Sequence, residues 1–90
     1  MANKKQNQIT LSSNGELWKE GSLRVGKSIF HFWAKVYDLP SEFGIREGRI
    51  SKLTLKRNDT IVCNFDRGWD IKPVDDDTKA ALEILLYSYK

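Results

Sequence analysis

Residues 65–70 read Phe-Asp-Arg-Gly-Trp-Asp, which places two acids and an arginine around a glycine and a tryptophan. Two carboxylates do acid–base work when they converge on one site and their environments push their pKa values apart. A spacing of four, as between Asp66 and Asp70, would align them on a helix. Here Gly68 interrupts, and the segment reads as the end of a strand, so the two side chains are expected to diverge. The motif contains no histidine and no further acid to orient a base. The expected role is a corner of the fold: Gly68 gives backbone freedom for a turn, and Trp69 folds over a sheet edge or the helix N-terminus. Arg67 is expected to pair with Asp66, Asp70 or the Asp75–Asp77 run. Tryptophan and arginine are also the commonest interface anchors, so Arg67 and Trp69 form a candidate binding corner.

The remaining reactive residues are isolated. The chain has one cysteine, Cys63, and one histidine, His31. That excludes an internal disulfide and a zinc-ligand set of the usual kind. Cys63 falls at a core position of an expected strand, whereas a reactive thiol needs exposure and a positive neighbourhood. Asp75, Asp76 and Asp77 are contiguous and lack the spacing of a calcium loop. They are expected to cap a helix, where side-chain oxygens and negative charge meet free N–H groups. Neither a phosphate-binding loop nor a dinucleotide glycine pattern is present. No catalytic residue, metal site or cofactor is therefore expected, and the chain reads as a non-enzyme.

The strongest functional signal lies on one face of an expected sheet. In Ser28–Asp38, the residues Phe30, Phe32, Ala34 and Val36 share one parity, and Ile29, His31, Trp33, Lys35 and Tyr37 share the other. Side chains alternate faces along a strand, so the first set is the core face. The outer face then carries Trp33, Lys35 and Tyr37, joined by Lys52, Thr54 and Lys56 from the next strand, with Trp18 and Arg24 as additions. Fully burying a tryptophan or tyrosine removes ~150–250 Å² from water, so rings left on an outer face ask for a reason. An open sheet with aromatics among cations suits single-stranded nucleic acid, because bases stack on rings while cations meet phosphates. The RNA-recognition signature of sheet-face aromatics is absent. A protein interface, to another chain or to a second copy, uses the same residues. Two local explanations compete: the rings stack across strands, or the loop over residues 39–48 covers them.

These residues must be positioned by a small fold. The chain has 90 residues, 40% apolar and 30% charged, with three Trp, three Tyr and four Phe. A single domain of this size buries only about 60–65% of its unfolded surface. Residues 1–8 read as a flexible polar arm and 9–90 as one α+β domain. Strands are expected over 17–25, 28–38, 49–57 and 60–66, with a short one possible over 9–12. Asn14-Gly15, Gly26-Lys27 and Asn58-Asp59 mark the turns. Residues 39–48 read as a long loop that folds partly onto the domain through Phe43 and Ile45. In the third strand Leu53 and Leu55 face the core with Ser51 and Arg57, opposite Ile50 and the lysines. In the fourth, Ile61, Cys63 and Phe65 face inward. Beyond Pro73, the stripe Leu82, Leu85, Leu86 and Tyr89 marks a helix with one apolar side, and Ala80 and Ala81 permit close approach. The expected architecture is two layers: about four antiparallel strands, with one C-terminal helix on one face.

The run FHFWAKVYDLPSEFGIREGRISKL, followed by NFDRGWD and an Ala/Leu-rich terminal helix, resembles a family of small uncharacterised proteins of Gram-positive bacteria and their phages or mobile elements. The resemblance spans residues 17–90, and the family is a domain of unknown function. It implies a bacterial or phage origin and a cytoplasmic setting, and carries no site residues.

The charge is uneven: residues 1–65 hold 11 Lys/Arg against 6 Asp/Glu, and residues 66–90 hold 4 against 6. The net charge of +3 is also an ordinary solubility charge. No apolar run reaches membrane-spanning length, and the first residues lack the apolar core of a signal peptide. With a lone cysteine, a reducing cytoplasm is the expected compartment. The expectation is a small binding module, meeting a protein partner or a second copy through Trp33, Lys35, Tyr37, Lys52 and Lys56 or through Arg67 and Trp69. Weak single-stranded nucleic-acid binding by the same sheet face is the alternative, and no membrane partner is expected.

Overall fold

Short turns set the topology. Gly26 and Lys27 join two strands paired up to Val25 and Ser28, and only Gly26 takes positive φ (59°). A two-residue hairpin loop with positive φ at its first position alone is of the II′ kind and favours glycine there. Asn58 and Asp59 join the next tight hairpin, both at positive φ (52° and 64°). That is the I′ pattern, which asparagine and aspartate tolerate best among residues with a side chain.

The structure, a computed structural model, describes the backbone of residues 9–11 and all of residues 17–90. The expected arm over residues 1–8 and the Asn14-Gly15 turn lie outside the described residues. The strands are β1 (Ile9–Leu11), β2 (Trp18–Val25), β3 (Ser28–Val36), β4 (Ile50–Arg57), β5 (Thr60–Asp66) and β6 (Trp69–Ile71), followed by the helix α1 (Asp76–Ser88). They form one antiparallel sheet in chain order, β1 to β6. The four expected strands are β2–β5; β1 and β6, of three residues each, extend the two edges. The architecture is the single α+β domain that the hydrophobic pattern implies.

The inner face carries Leu23, Phe30, Phe32, Ala34, Val36, Leu53, Leu55, Cys63 and Phe65, all buried. Helix α1 contributes Ala81, Leu82 and Leu85, and Tyr89 packs against them. Burying each Leu or Phe contributes roughly 1.5–3 kcal/mol, so this face dominates the stability. Burial raises the Cys63 thiol to about 12, which keeps it protonated.

Two bulges correct the expected register. Between Lys35 and Val36 the pairing jumps from Lys52 to Ile50, so Ile50 faces the core (1% exposed) rather than the outer side with the lysines. Between Leu55 and Lys56 the partners jump from Cys63 to Ile61. Ile61, expected inward, is 46% exposed, and Val62 is buried in its place. An extra residue in one strand shifts every later side chain by one position, which alternation alone cannot anticipate.

The helix start is as expected. Asp75 is the N-cap, and its carboxylate accepts from the Thr78 N–H (2.9 Å) and from Thr78 Oγ1 (2.6 Å). Arg57, at the end of β4, reaches the same carboxylate at 2.6 Å and lies over the Phe30 ring. Ser28 donates to Asp77 at 2.8 Å. No helix among the described residues is long and apolar enough to cross a membrane.

Candidate functional site: the outer sheet face and its cleft

Cross-strand register turns the outer face into rows. The first runs Trp18, Lys35, Lys52, Asp66; the second Glu20, Trp33, Thr54, Asn64; the third Ser22, His31, Lys56, Ile61. Helix α1 packs on the opposite face.

The second row is knitted by hydrogen bonds. Thr54 donates to the Asn64 side-chain oxygen (2.7 Å), and Asn64 donates to Asp70 (3.0 Å). In the third row, His31 meets Glu20 at 3.0 Å and its ring lies 4.4 Å from that of Trp33. Trp33 is therefore a half-buried ring, with the His31 ring tilted against it, rather than an open platform. Asp66, Asp70 and His31 do not converge: each has its own partner, Lys52, Asn64 and Glu20 respectively.

The first row is different. Lys35 and Lys52 stand directly opposite one another, and like charges in that relation are destabilising. Lys52 has Asp66 at 3.6 Å. Among the described residues Lys35 has no carboxylate within ion-pair distance; its ammonium lies 5.4 Å from the Tyr37 ring centre and 5.9 Å from that of Trp18.

Beyond this row the surface opens into a cleft of about 660 Å³. It is lined by Lys35, Tyr37, Asp38 and Lys52, by Arg67 from the corner, and by Leu39 and Phe43 from the loop over residues 39–48, its wall. The wall is built by a tight knot of backbone bonds: Ser41 N–H to Gly48 O, Gly44 N–H to Ser41 O and Gly48 N–H to Ile45 O. Ile45 plugs this loop into the core (2% exposed), and Arg46 grips Glu83 of the helix with both guanidinium nitrogens. Arg46 and Glu47 both take positive φ (54° and 57°). A Cβ on Gly44 would lie 2.1 Å from the Gly48 carbonyl oxygen, so this close approach requires glycine. The loop thus folds down through Ile45 as expected, but Phe43 points away from the core and is 53% exposed.

The FDRGWD segment is a corner, though a different residue turns it. Arg67, not Gly68, takes the left-handed conformation (φ 57°), and the space around the Gly68 α-carbon is open. The Arg67 N–H donates to the Ser51 carbonyl at the β4 bulge (3.0 Å), and Asp66 N–H donates to Gly68 O. These bonds hold Arg67 over the cleft, its guanidinium 5.8 Å from the Phe43 ring centre. It makes none of the acid pairs expected of it. Trp69 packs edge-on against Phe65 (5.0 Å) in the edge strand β6, outside the cleft.

The two expected sites therefore merge in part. Lys35, Tyr37 and Lys52 from the sheet and Arg67 from the corner line one cleft. Trp33 and Lys56 line a shallower depression of about 350 Å³ at the other end of the face, with Ile29 and His31. Sequence reasoning had the loop fold partly onto the domain through Phe43 and Ile45 and gave Leu39 no role; the available signal was a polar loop carrying three large apolar residues, Leu39, Phe43 and Ile45.

No curated protein and no solved structure matches the chain. The profile of a domain family of unknown function, DUF7678, matches residues 17–90. That match spans the sheet from β2 onward, the cleft and the helix, and the chain belongs to this family.

Proposed function

We propose that this domain is a non-enzymatic binding module that takes a segment of a partner protein in the cleft between Tyr37, Phe43 and Arg67. The observation that carries the reading is the merging of the sheet-face and corner residues into one concave, partly apolar site. Interface hot spots favour aromatic and arginine anchors around a pocket, and Tyr37, Phe43 and Arg67 supply them. The exposed apolar surface at Leu39 (75%) and Phe43 (53%) supports the same reading. Nucleic-acid binding is the second reading, favoured by the lysines of the outer face. It is weakened by the tilted contact of Trp33 with His31 and by the acids Glu20 and Asp66 set among those lysines. A backbone-tracking groove needs a continuous basic stripe.

The setting we propose is the cytoplasm of a Gram-positive bacterium or of a cell carrying its phage, on the strength of the motif resemblance and the single cysteine.

Selection of displayed random peptides on the domain, counter-selected on a Tyr37→Ser/Phe43→Ser variant, tests the main reading. Peptides that bind the first and not the second are expected. Salt-dependent binding of labelled oligothymidylate, weakened more by Trp33→Ala than by Tyr37→Ser, would replace it with the nucleic-acid reading.

A further inference from the structure

We infer that the cleft recognises an acidic segment, seating a carboxylate between Lys35, Lys52 and Arg67 and an apolar side chain against Tyr37 and Phe43. This rests on the reading of the cleft as a protein-binding site and names the chemistry of the partner.

The cleft carries a cost in like charge. Lys35 and Lys52 face each other across β3 and β4, and nothing in hairpin geometry requires two cations there. The corner adds a third: Arg67 is held over the same cleft by its backbone bond to Ser51, in a left-handed conformation that side chains disfavour. Against these three cations stand Asp66, beside Lys52 at 3.6 Å, and Asp38, which lines the cleft itself. The described residues offer Lys35 and Arg67 ring faces in place of carboxylates, at Tyr37, Trp18 and Phe43. An anion from outside would relieve the Lys35–Lys52 repulsion and meet the Arg67 fork.

Away from the cleft, three basic side chains do have an acid beside them. Arg57 is taken by Asp75, Arg46 by Glu83, and His31 lies against Glu20. Lys56 also stands on the outer face without an ion pair among the described residues, but the Trp33–Thr54 row separates it from Lys35 and Lys52, so the three cleft cations form a patch rather than a track. A patch beside exposed Leu39, Tyr37 and Phe43 fits a short acidic–apolar peptide better than a nucleic-acid backbone.

The test uses two degenerate pools of labelled decapeptides. Both carry Phe, Tyr, Leu or Val at alternate positions; one has Asp/Glu between them and the other Asn/Gln. Anisotropy measures affinity, and backbone amide shifts of the labelled domain locate it. The acidic pool is expected to bind at least tenfold more tightly, shifting the Lys35, Tyr37, Phe43 and Arg67 amides. Lys35→Ala/Lys52→Ala should abolish the preference, Lys35→Arg/Lys52→Arg should keep it, and Lys79→Ala, on the helix, should leave it unchanged. Equal binding of both pools at the same amides would overturn the carboxylate inference and leave the protein-binding reading standing. Binding of neither pool overturns the inference. If labelled oligothymidylate instead binds and shifts the cleft amides, the protein-binding reading falls with it.

Discussion

The two ends of the sheet treat charge in different ways. At the end where β4 meets the helix, Arg57 bonds Asp75 and Ser28, Ser28 bonds Asp77, and Asp75 caps Thr78. Each group has a partner, and the network fastens the helix start to the strands. At the other end Lys35, Lys52 and Arg67 crowd one cleft around rings, with Asp66 held to Lys52. Both ends use charge to fasten the helix, through Arg57 on Asp75 and through Arg46 on Glu83, but only the cleft end also leaves two lysines opposed on the open face. That contrast points to function: paired charge at a helix cap explains itself structurally, whereas opposed like charges on an open face do not.

The largest effect should come from the wall of the cleft. Gly44→Ala drives a methyl to 2.1 Å from the Gly48 carbonyl oxygen, a backbone clash that no rotamer relieves. Overpacking of this kind costs about 1–3 kcal/mol or more, and chemical denaturation should show it together with lost order at Phe43. A stability close to wild type would mean that the wall is looser than its hydrogen bonds imply.

The helix end should be next, and it should depend on pH. Arg57 first, then Thr78, holds the Asp75 carboxylate well below the usual aspartate range. A depressed folded pKa gives stability that is complete above the unfolded value of about 3.9 and is lost as pH falls through the folded value. Asp75→Ala should lower the melting temperature at neutral pH, and the gap to wild type should shrink below about pH 4, where the unfolded carboxyl takes up its proton. A gap that stays constant down to the most acidic condition would break the assignment.

Smaller effects separate Arg67 from Gly68. Arg67→Gly removes a left-handed strain of about 1–2 kcal/mol, partly offset by the freedom glycine gains on unfolding, so a net gain of up to ~1 kcal/mol is expected. Gly68→Ala enters open space and should be neutral or slightly stabilising, by up to ~1 kcal/mol. If Gly68→Ala were the damaging change, the turn would depend on glycine after all. The smallest effect is at the lysine pair. Lys35→Thr should raise stability by up to ~0.5 kcal/mol at low salt, and the gain should vanish as salt screens the repulsion. A loss instead would mean that Lys35 stabilises the face through Trp18 and Tyr37, and the contrast between the two ends would weaken.

The inner face was readable because strand and helix periodicities are local. Phe30, Phe32, Ala34 and Val36 alternate inward, and Leu82, Leu85 and Tyr89 recur at helical spacing, wherever these segments sit. The hairpin turns at 26–27 and 58–59 and the Asp75 cap are equally local, since they depend on φ preference and side-chain reach within a few residues. The amino-acid sequence therefore determined the α+β class, most of the core and the identity of Lys35, Tyr37, Lys52 and Arg67 as surface groups. That these four share one cleft came from the packing of distant segments. That depended on two bulges, which exposed Ile61 and buried Ile50, and on the Ser51 carbonyl that holds Arg67. A bulge changes which residues face one another by a single step in pairing, and its energy lies in contacts between segments distant in the chain. The same holds for Phe43: Ile45 anchors the loop in the core, and its neighbour is left to line the opening.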